Sequence, residues 1–588
     1  MIVNRKSVGI PAFKSTSIAI RALPFRMTSF ILLTSRRVVA LSLGWLLSAP
    51  LFAQSNLPVL PLSQVNRPAG WQLVGAVAQK PDGTLKTEPG TTILVGSRDA
   101  LTLATPTDDF QMRFEMLMTT DTDASLTLPA GQTLSFSRMR DLSRLLKAPG
   151  LWQTVELSYR TGKNNNPAML EKLILNGVVV REGQMLTGKA GGTVALMVPG
   201  GTVAVRHVGY RVMSPRNVAQ WSGPLNYTIV EGGYIGSREE AKSKKVLKQD
   251  TTAQLNYEVS YGQPRQHTLF FTGKLNALQA GDYQFELNRG GQGGVWVDGK
   301  EIIPISHREL GQASIGTTPL TAGLHEVQVF FSRSWFRPGL GLFVSQVGTR
   351  PQPLHALTSL PDPDPVGVIS VTPETKSQLI RSFVQMPGEK TKRTHSLSVG
   401  SPMGLHYTVD LNQMALLQVW KGDFANVTEM WYERGEPQLL SPMGATIRLP
   451  AQPALTVLTN ETTAWPDSLN ENALRYKGLT VDKQGVPTVS YELAGLTVTD
   501  AIRMESDALV RTLSLMGSPA GTPYCRIIAG SSVDEVSKGL YSVDDRSYFV
   551  RFDPKAKIKL RQSNGKQELL LPVVMKNGAG SVQYSIVF

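Results

Sequence analysis

The chain has 588 residues, with 60 Lys and Arg against 46 Asp and Glu, a formal charge of +14. Seven of those basic residues and no acids fall in the first 53 positions, so the remaining 535 or so carry 53 basic and 46 acidic residues, about +7 with no long Lys/Arg block. That mild, dispersed charge excludes nucleic acid and anionic membrane as the implied partner. The single cysteine, Cys525, excludes internal disulfides, a Cys-based zinc site and a haem attachment motif.

The N-terminal stretch reads as an export signal. Arg36 and Arg37 precede an apolar run from Val38 to Leu47, and small residues lead to a cleavage point near Ala53 or Gln54. Basic, then apolar, then small is the signal-peptide order, and the apolar core is too short to span a bilayer stably. Residues 1–53 are therefore expected to be a signal peptide with an over-called start, the true start being Met27. The alternative is a buried N-terminal helix. The expected location is secreted or periplasmic, with no membrane span after signal removal and no lipid anchor, since no cysteine follows the cleavage point.

Beyond the signal, Gly and Pro punctuate short runs in which apolar and polar residues alternate. Phe110 to Met116 and Thr193 to Val198 are examples. Period-two alternation with frequent turn signals predicts an all-β chain of tandem β-sandwich (jelly-roll) domains. The seams predict a first domain over 66–213, a second over 223–346, a proline-rich linker over 349–365 and a β-rich C-terminal domain over 367–588. The breadth of strands around Leu416-Leu417-Gln418-Val419-Trp420 leaves room for a supersandwich there.

In the first domain, Gly150-Leu151-Trp152 opens a strand, Leu175-Asn176-Gly177-Val178 forms a hairpin tip, and Gly192 precedes an apolar strand before Val205-Arg206-His207-Val208. These residues resemble the 3-keto-disaccharide hydrolase family, a concanavalin-like jelly roll of secreted carbohydrate-processing proteins. Where that family shows an Asn-Ser-Gly stretch and an acidic, aromatic face, this chain has Asp123 to Pro129. Trp152 reads either as a core plug or as a sugar platform.

The second domain carries Gly281-Asp282-Tyr283-Gln284-Phe285, then Val297-Asp298-Gly299-Lys300, then Leu320-Thr321-Ala322-Gly323-Leu324-His325. This combination resembles the anthrax protective-antigen-type domain, which implies a β-sandwich that binds glycans. Sugar-binding relatives hold calcium through paired acids after the first of these strands; here Asn288-Arg289-Gly290 stand instead, so no calcium site is implied. Asp298-Gly299 reads as a hairpin turn.

The third domain gathers acids, bases and aromatics between Arg393 and Gly444. It resembles a β-rich module attached to exported cytochrome c and sorbosone-dehydrogenase-like proteins. Glu429, Glu433 and Glu436, with His406, are the candidate catalytic residues, because glycoside hydrolysis needs two carboxyl groups flanking one bond. Trp420, Trp431, Tyr432 and Arg434, with Trp152, are the candidate carbohydrate-binding residues. The opposing reading makes both tryptophans sheet core and the glutamates a solvated loop. No metal or other cofactor is implied. The expected function is an exported carbohydrate-binding protein with glycans or polysaccharides as partners. A glycoside hydrolase acting through the first or third domain, or a non-catalytic docking protein among envelope proteins, are the alternatives.

Overall fold

The structure, a computed structural model, describes residues 57–80, 82–162, 167–188, 191–333, 337–363, 367–432, 435, 437–505 and 507–588. The proposed signal peptide lies outside them, as do Glu433, Arg434 and Glu436. The chain is all-β, built as tandem β-sandwiches from antiparallel sheets.

The alternation seen in the sequence sets the first sandwich. Along Phe110–Met118, residues Phe110, Met112, Phe114 and Met116 are buried while Gln111, Arg113 and Glu115 turn to the other face. This strand is central in a seven-stranded sheet whose strands run, in spatial order, Trp71–Gln79, Leu85–Gly96, Val203–Val212, Phe110–Met118, Trp152–Arg160, Ala168–Leu175 and Val178–Leu186. A four-stranded sheet packs on it, and Leu101, Leu126 and Leu196 meet Phe114 and Val205 in one core.

The hairpin tip at Asn176-Gly177 shows why those two residues stand there. Asn176 and Gly177 both have positive φ, 50° and 81°, which the right-handed twist of a tight hairpin demands and which Asn and Gly tolerate. The Asn176 side chain also accepts the Thr154 N–H at 2.9 Å and donates to Leu145 O and Gln153 Oε1 at 2.9 and 2.8 Å. Asn176→Ala is expected to destabilise the protein by about 2 kcal/mol, through lost part-buried hydrogen bonds and a less tolerant left-handed residue. Urea denaturation measures this, and a loss below about 0.5 kcal/mol would show that water replaces those bonds.

In the second sandwich, strands Val246–Thr252, Leu225–Glu231, His267–Ala277, Gly323–Arg333, Gly291–Val297 and Lys300–Arg308 lie side by side. Ser314–Leu320, Gly281–Arg289, Leu340–Gln346 and Gln352–Pro353 form the facing sheet. Tyr283, Phe285 and Leu287 point into the core with Phe271 and Val329. Arg289 also turns inward, fully buried, donating to Ser306 O at 2.7 Å and Ser314 Oγ at 3.1 Å. Asn288 Oδ1 accepts the Gly311 N–H at 3.1 Å, so both residues serve the fold.

The proline-rich stretch after this sandwich is held at its start by polar contacts to the first sandwich. Arg350 donates to Asp109 Oδ2 at 2.7 Å and forks onto Glu171 at 3.1 and 3.2 Å. Leu357–Ser359 then forms a single 3-10 turn.

The C-terminal region stacks an eight-stranded sheet on two smaller sheets around one core. Val498 and Leu513 come from the eight-stranded sheet, Val399 and Tyr407 from one of the smaller sheets, and Cys525 and Leu569 from the other. Ala148 and Leu151 of the first sandwich join that core. Trp152 N–H donates to Arg546 O at 3.3 Å, Lys421 Nζ donates to Leu146 O at 2.9 Å, and Arg206 pairs with Asp545. The first and last sandwiches therefore touch directly instead of following one another as a row.

Candidate functional site

His406 and Trp420 face each other across paired strands, Leu405–Asp410 and Ala415–Asn426. Both are buried, at 1% and 0% exposure. Ser401 N–H donates to His406 Nδ1 at 3.1 Å and Nε2–H donates to Gly422 O at 3.0 Å, so both ring nitrogens are occupied. Burial pushes the imidazole down to about 4. A neutral, doubly bonded ring in the core has no substrate to reach, which removes His406 as a catalyst. Trp420 donates its indole N–H to Phe424 O at 2.7 Å and lies 5.8 Å from the Phe424 ring in a parallel stack. Trp152, 5% exposed, is covered by the Arg206 guanidinium 4.0 Å from its ring centroid. Neither tryptophan offers a face to a sugar; both are core.

Glu429, Trp431 and Tyr432 are exposed at a short helix, Thr428–Trp431, and just beyond it. The three remaining candidates of that cluster, Glu433, Arg434 and Glu436, lie outside the described residues.

The first sandwich brings two carboxylates to the outer face of its large sheet. Arg113 lies between them, 3.6 Å from Glu156 and 3.9 Å from Glu115, and Arg206 Nε donates to Glu115 at 2.8 Å. Burial raises the Glu115 carboxyl, but the Arg206 charge and hydrogen bond outweigh it and hold the group below its usual range. A general acid for glycoside cleavage needs the opposite shift.

A different site emerges at one end of the second sandwich. The turn Tyr257–Ser260 is a 3-10 helix capped by Asn256, whose side chain accepts the Glu258 N–H. Ser359 from the proline-rich stretch anchors it, accepting the Tyr257 N–H at 2.8 Å and donating to Leu340 O at 2.6 Å. Gly262, with φ of 82°, turns the chain so that Tyr261 stands out, 68% exposed. Beneath it, Tyr257 stacks on His267 at 6.0 Å between ring centroids and meets Phe331 edge-on at 5.5 Å.

These elements border an open cleft of about 370 Å³, lined by Tyr257, Tyr261, Gln263, Arg333, Arg337 and Thr358 among others. The size lies within the usual range of small-molecule sites. The cleft combines an exposed aromatic ring with amide and guanidinium donors, and no carboxylate stands among its described lining residues. Such a lining can hold a polar ring by stacking and hydrogen bonds, and behind it the Glu258 carboxylate accepts a hydrogen bond from Thr358 Oγ1 at 3.1 Å.

His267 is 1% exposed, donates from Nδ1 to Pro264 O at 2.8 Å, and is held below its usual pKa by burial and by the nearby Arg333 charge. Its Nε2 and the Arg333 Nε are buried without hydrogen-bond partners among the described residues.

Among the described residues, no group of three or more His, Cys, Asp or Glu is placed to hold a metal, and no helix is long and apolar enough to cross a membrane. Cys525 is buried, its thiol pushed up to about 12 by desolvation, and so behaves as a small apolar residue. Asp298 and Gly299 form the turn expected of them, with φ of 49° and 79°. Asp298 binds the Glu326 N–H at 2.9 Å and the His325 ring at 2.6 Å.

No protein-family model and no curated protein matches the chain. Among solved structures it is similar to a β-glucosidase from Kluyveromyces marxianus, at 16% identity over 21% of this chain and 14% of that one, with a TM-score of 0.17. It is also similar to the epithelial adhesin 9 A domain from Candida glabrata in complex with Galβ1-4GlcNAc, at 12% identity over 23% and 86% of the two chains, TM-score 0.17. An anti-sigma factor domain-containing protein from Clostridium clariflavum matches at 10% identity over 50% and 92%, TM-score 0.20. The chain thus spans 14% of the β-glucosidase's length. Scores this low carry no inference about activity.

Proposed function

We propose that this is an exported, non-catalytic carbohydrate-binding protein, working in the periplasm or outside the cell. The observation that carries the reading is the cleft bordered by Tyr261, with amide and guanidinium donors and a lining free of carboxylates among the described residues. The segments that resemble the protective-antigen-type domain form the sandwich around it, and the first sandwich's strands carry the jelly-roll resemblance. The signal-like order of Arg36-Arg37, Val38 to Leu47 and Ala53 supports export.

A glycan array probed with the full chain is the test. At least one saccharide is expected to bind, and Tyr261→Ala should weaken that binding about tenfold, or 1.4 kcal/mol, without releasing any cleavage product. A blank array, or a bound glycan that is hydrolysed, would remove the non-catalytic binding role.

A further inference from the structure

We infer that the outer face of the second sandwich's four-stranded sheet is a subsite for saccharides that carry a protonated amino group, with Glu286 as the anionic partner of that amine. This rests on the carbohydrate-binding reading and adds to it a second binding surface and the charge of its ligand.

Glu286 lies on Gly281–Arg289, the strand between Ser314–Leu320 and Leu340–Gln346. Alternation sends Tyr283, Phe285 and Leu287 into the core and turns Asp282, Gln284 and Glu286 to the outer face. In the pairing register Glu286 stands directly between Ile315 and Phe343, and opposed positions of this kind lie about 5 Å apart at Cβ. Ile315 is 60% exposed, so this face is open there. Phe343 is half-buried, its ring edge-on to the His355 ring at 4.8 Å between centroids. In this apolar frame the Glu286 carboxylate makes no hydrogen bond and no ion pair among the described residues, and its oxygens stay open to solvent. Burial holds the carboxyl above its usual range, with no neighbouring charge to offset it. A carboxylate partly stripped of water and given no partner is unfavourable. A cation placed there satisfies it with a charge-assisted hydrogen bond. The other charged residue that these four strands turn outward is Asp282, also acidic, so they present only negative charge on this face.

The frame fits an amino sugar better than a lysine side chain. Phe343 and Ile315 give an apolar footing for one face of a pyranose, and an ammonium beside the Phe343 ring gains from the ring's quadrupole as well as from Glu286. Two residues along the strands, about 7 Å away, Thr317 and Gln284 add a hydroxyl and an amide for the sugar hydroxyls. A lysine chain carries no group for that second row. A peptide added as a further strand is disfavoured as well, because Pro319 on the edge strand has no N–H to donate. The assigned ligand therefore combines an apolar ring face, hydroxyls and one cationic amine.

The test is calorimetric titration of the full chain, at slightly acidic pH, with trisaccharides of glucosamine and of galactosamine, each beside its N-acetylated form. At least one free amine is expected to bind about tenfold more tightly than its acetylated form, with affinity falling as salt rises. Glu286→Gln, which keeps the shape and loses the charge, should reduce affinity for that amine about tenfold and bring amine and acetylated form level. Phe343→Ala should weaken both forms. Equal binding of amine and acetylated form by the unaltered protein overturns the cationic preference and leaves glycan binding standing, as does a Glu286→Gln protein with undiminished affinity for the amine. A capped trilysine peptide that binds as tightly as the amine, and loses that binding in Glu286→Gln, overturns the saccharide in favour of a basic protein partner. Failure of every amine and acetylated form, together with a blank glycan array, overturns both readings. Should Glu286→Gln fail to fold, the amine-to-acetyl ratio, its salt dependence and the peptide titration decide the matter on the native chain.

Discussion

Arg511→Leu is expected to destabilise the C-terminal sandwich by about 3–5 kcal/mol, the usual loss when one partner of a buried ion pair is removed. The Arg511 and Asp500 side chains are each 1% exposed. They meet through two parallel bonds, Nε to Oδ1 at 3.0 Å and Nη2 to Oδ2 at 2.6 Å. Arg511 Nη2 also donates to Met414 O at 2.9 Å, which ties the eight-stranded sheet to the strands opposite it. Burial alone lowers the guanidinium's pKa, yet the Asp500 charge raises it well above its ordinary value. Removing Arg511 leaves a carboxylate in the core with neither water nor a counter-ion. The double variant Arg511→Leu with Asp500→Leu should recover most of the loss, because the pair together contributes little beyond what well-packed apolar side chains supply. Urea denaturation of parent, single and double variants measures the cycle. A single variant within about 1 kcal/mol of the parent, the usual value of an exposed pair, would mean that solvent reaches Asp500.

What the sequence disclosed and what it concealed follow from the same rule. Period-two alternation tells which residues share a face, so Phe110, Met112, Phe114 and Met116 were legible as one buried row. Turn chemistry was legible too, since Asn176-Gly177 and Asp298-Gly299 need left-handed backbone that few other residue pairs tolerate. Alternation does not tell whether the second face of a strand is covered. Leu405–Asp410 has six buried residues in succession, so His406 and Asp410 lie inside a layer that a reading of polarity places outside. Trp152 and Trp420 stood open between core and sugar platform for the same reason. A tryptophan on a strand has the same local pattern whether another layer packs over it or not.

The cleft was hidden for a different reason. Tyr261, Arg333 and Thr358 come from three segments far apart in the chain. The pairing of His267–Ala277 with Gly323–Arg333 and the hydrogen bond from Tyr257 N–H to Ser359 bring them together. The local signal was only a polar turn, Tyr261-Gly262-Gln263-Pro264, with an aromatic residue where turns usually carry small ones.

His406 gives the second large effect, and its sign is fixed by burial. The folded ring's pKa is pushed down to about 4, from an ordinary 6.5, because charging it would place a cation in the core. As pH falls below 6.5, the unfolded chain takes up this proton while the folded chain does not, and unfolding is favoured. The contribution is fully present above pH 6.5 and is lost as pH falls to about 4, roughly 3 kcal/mol over the whole interval at 1.36 kcal/mol per unit. Many carboxylates titrate near the lower end of the same window, so the informative quantity is the difference from a variant that cannot titrate there. His406→Gln preserves an acceptor for the Ser401 N–H and a donor for Gly422 O, the two bonds the ring makes. Urea midpoints taken between pH 7.5 and 4 should show the parent falling more steeply than the variant, the two curves converging or crossing in acid. Parallel curves would sink the assignment, because they require the ring to take up its proton equally in the folded and unfolded chains.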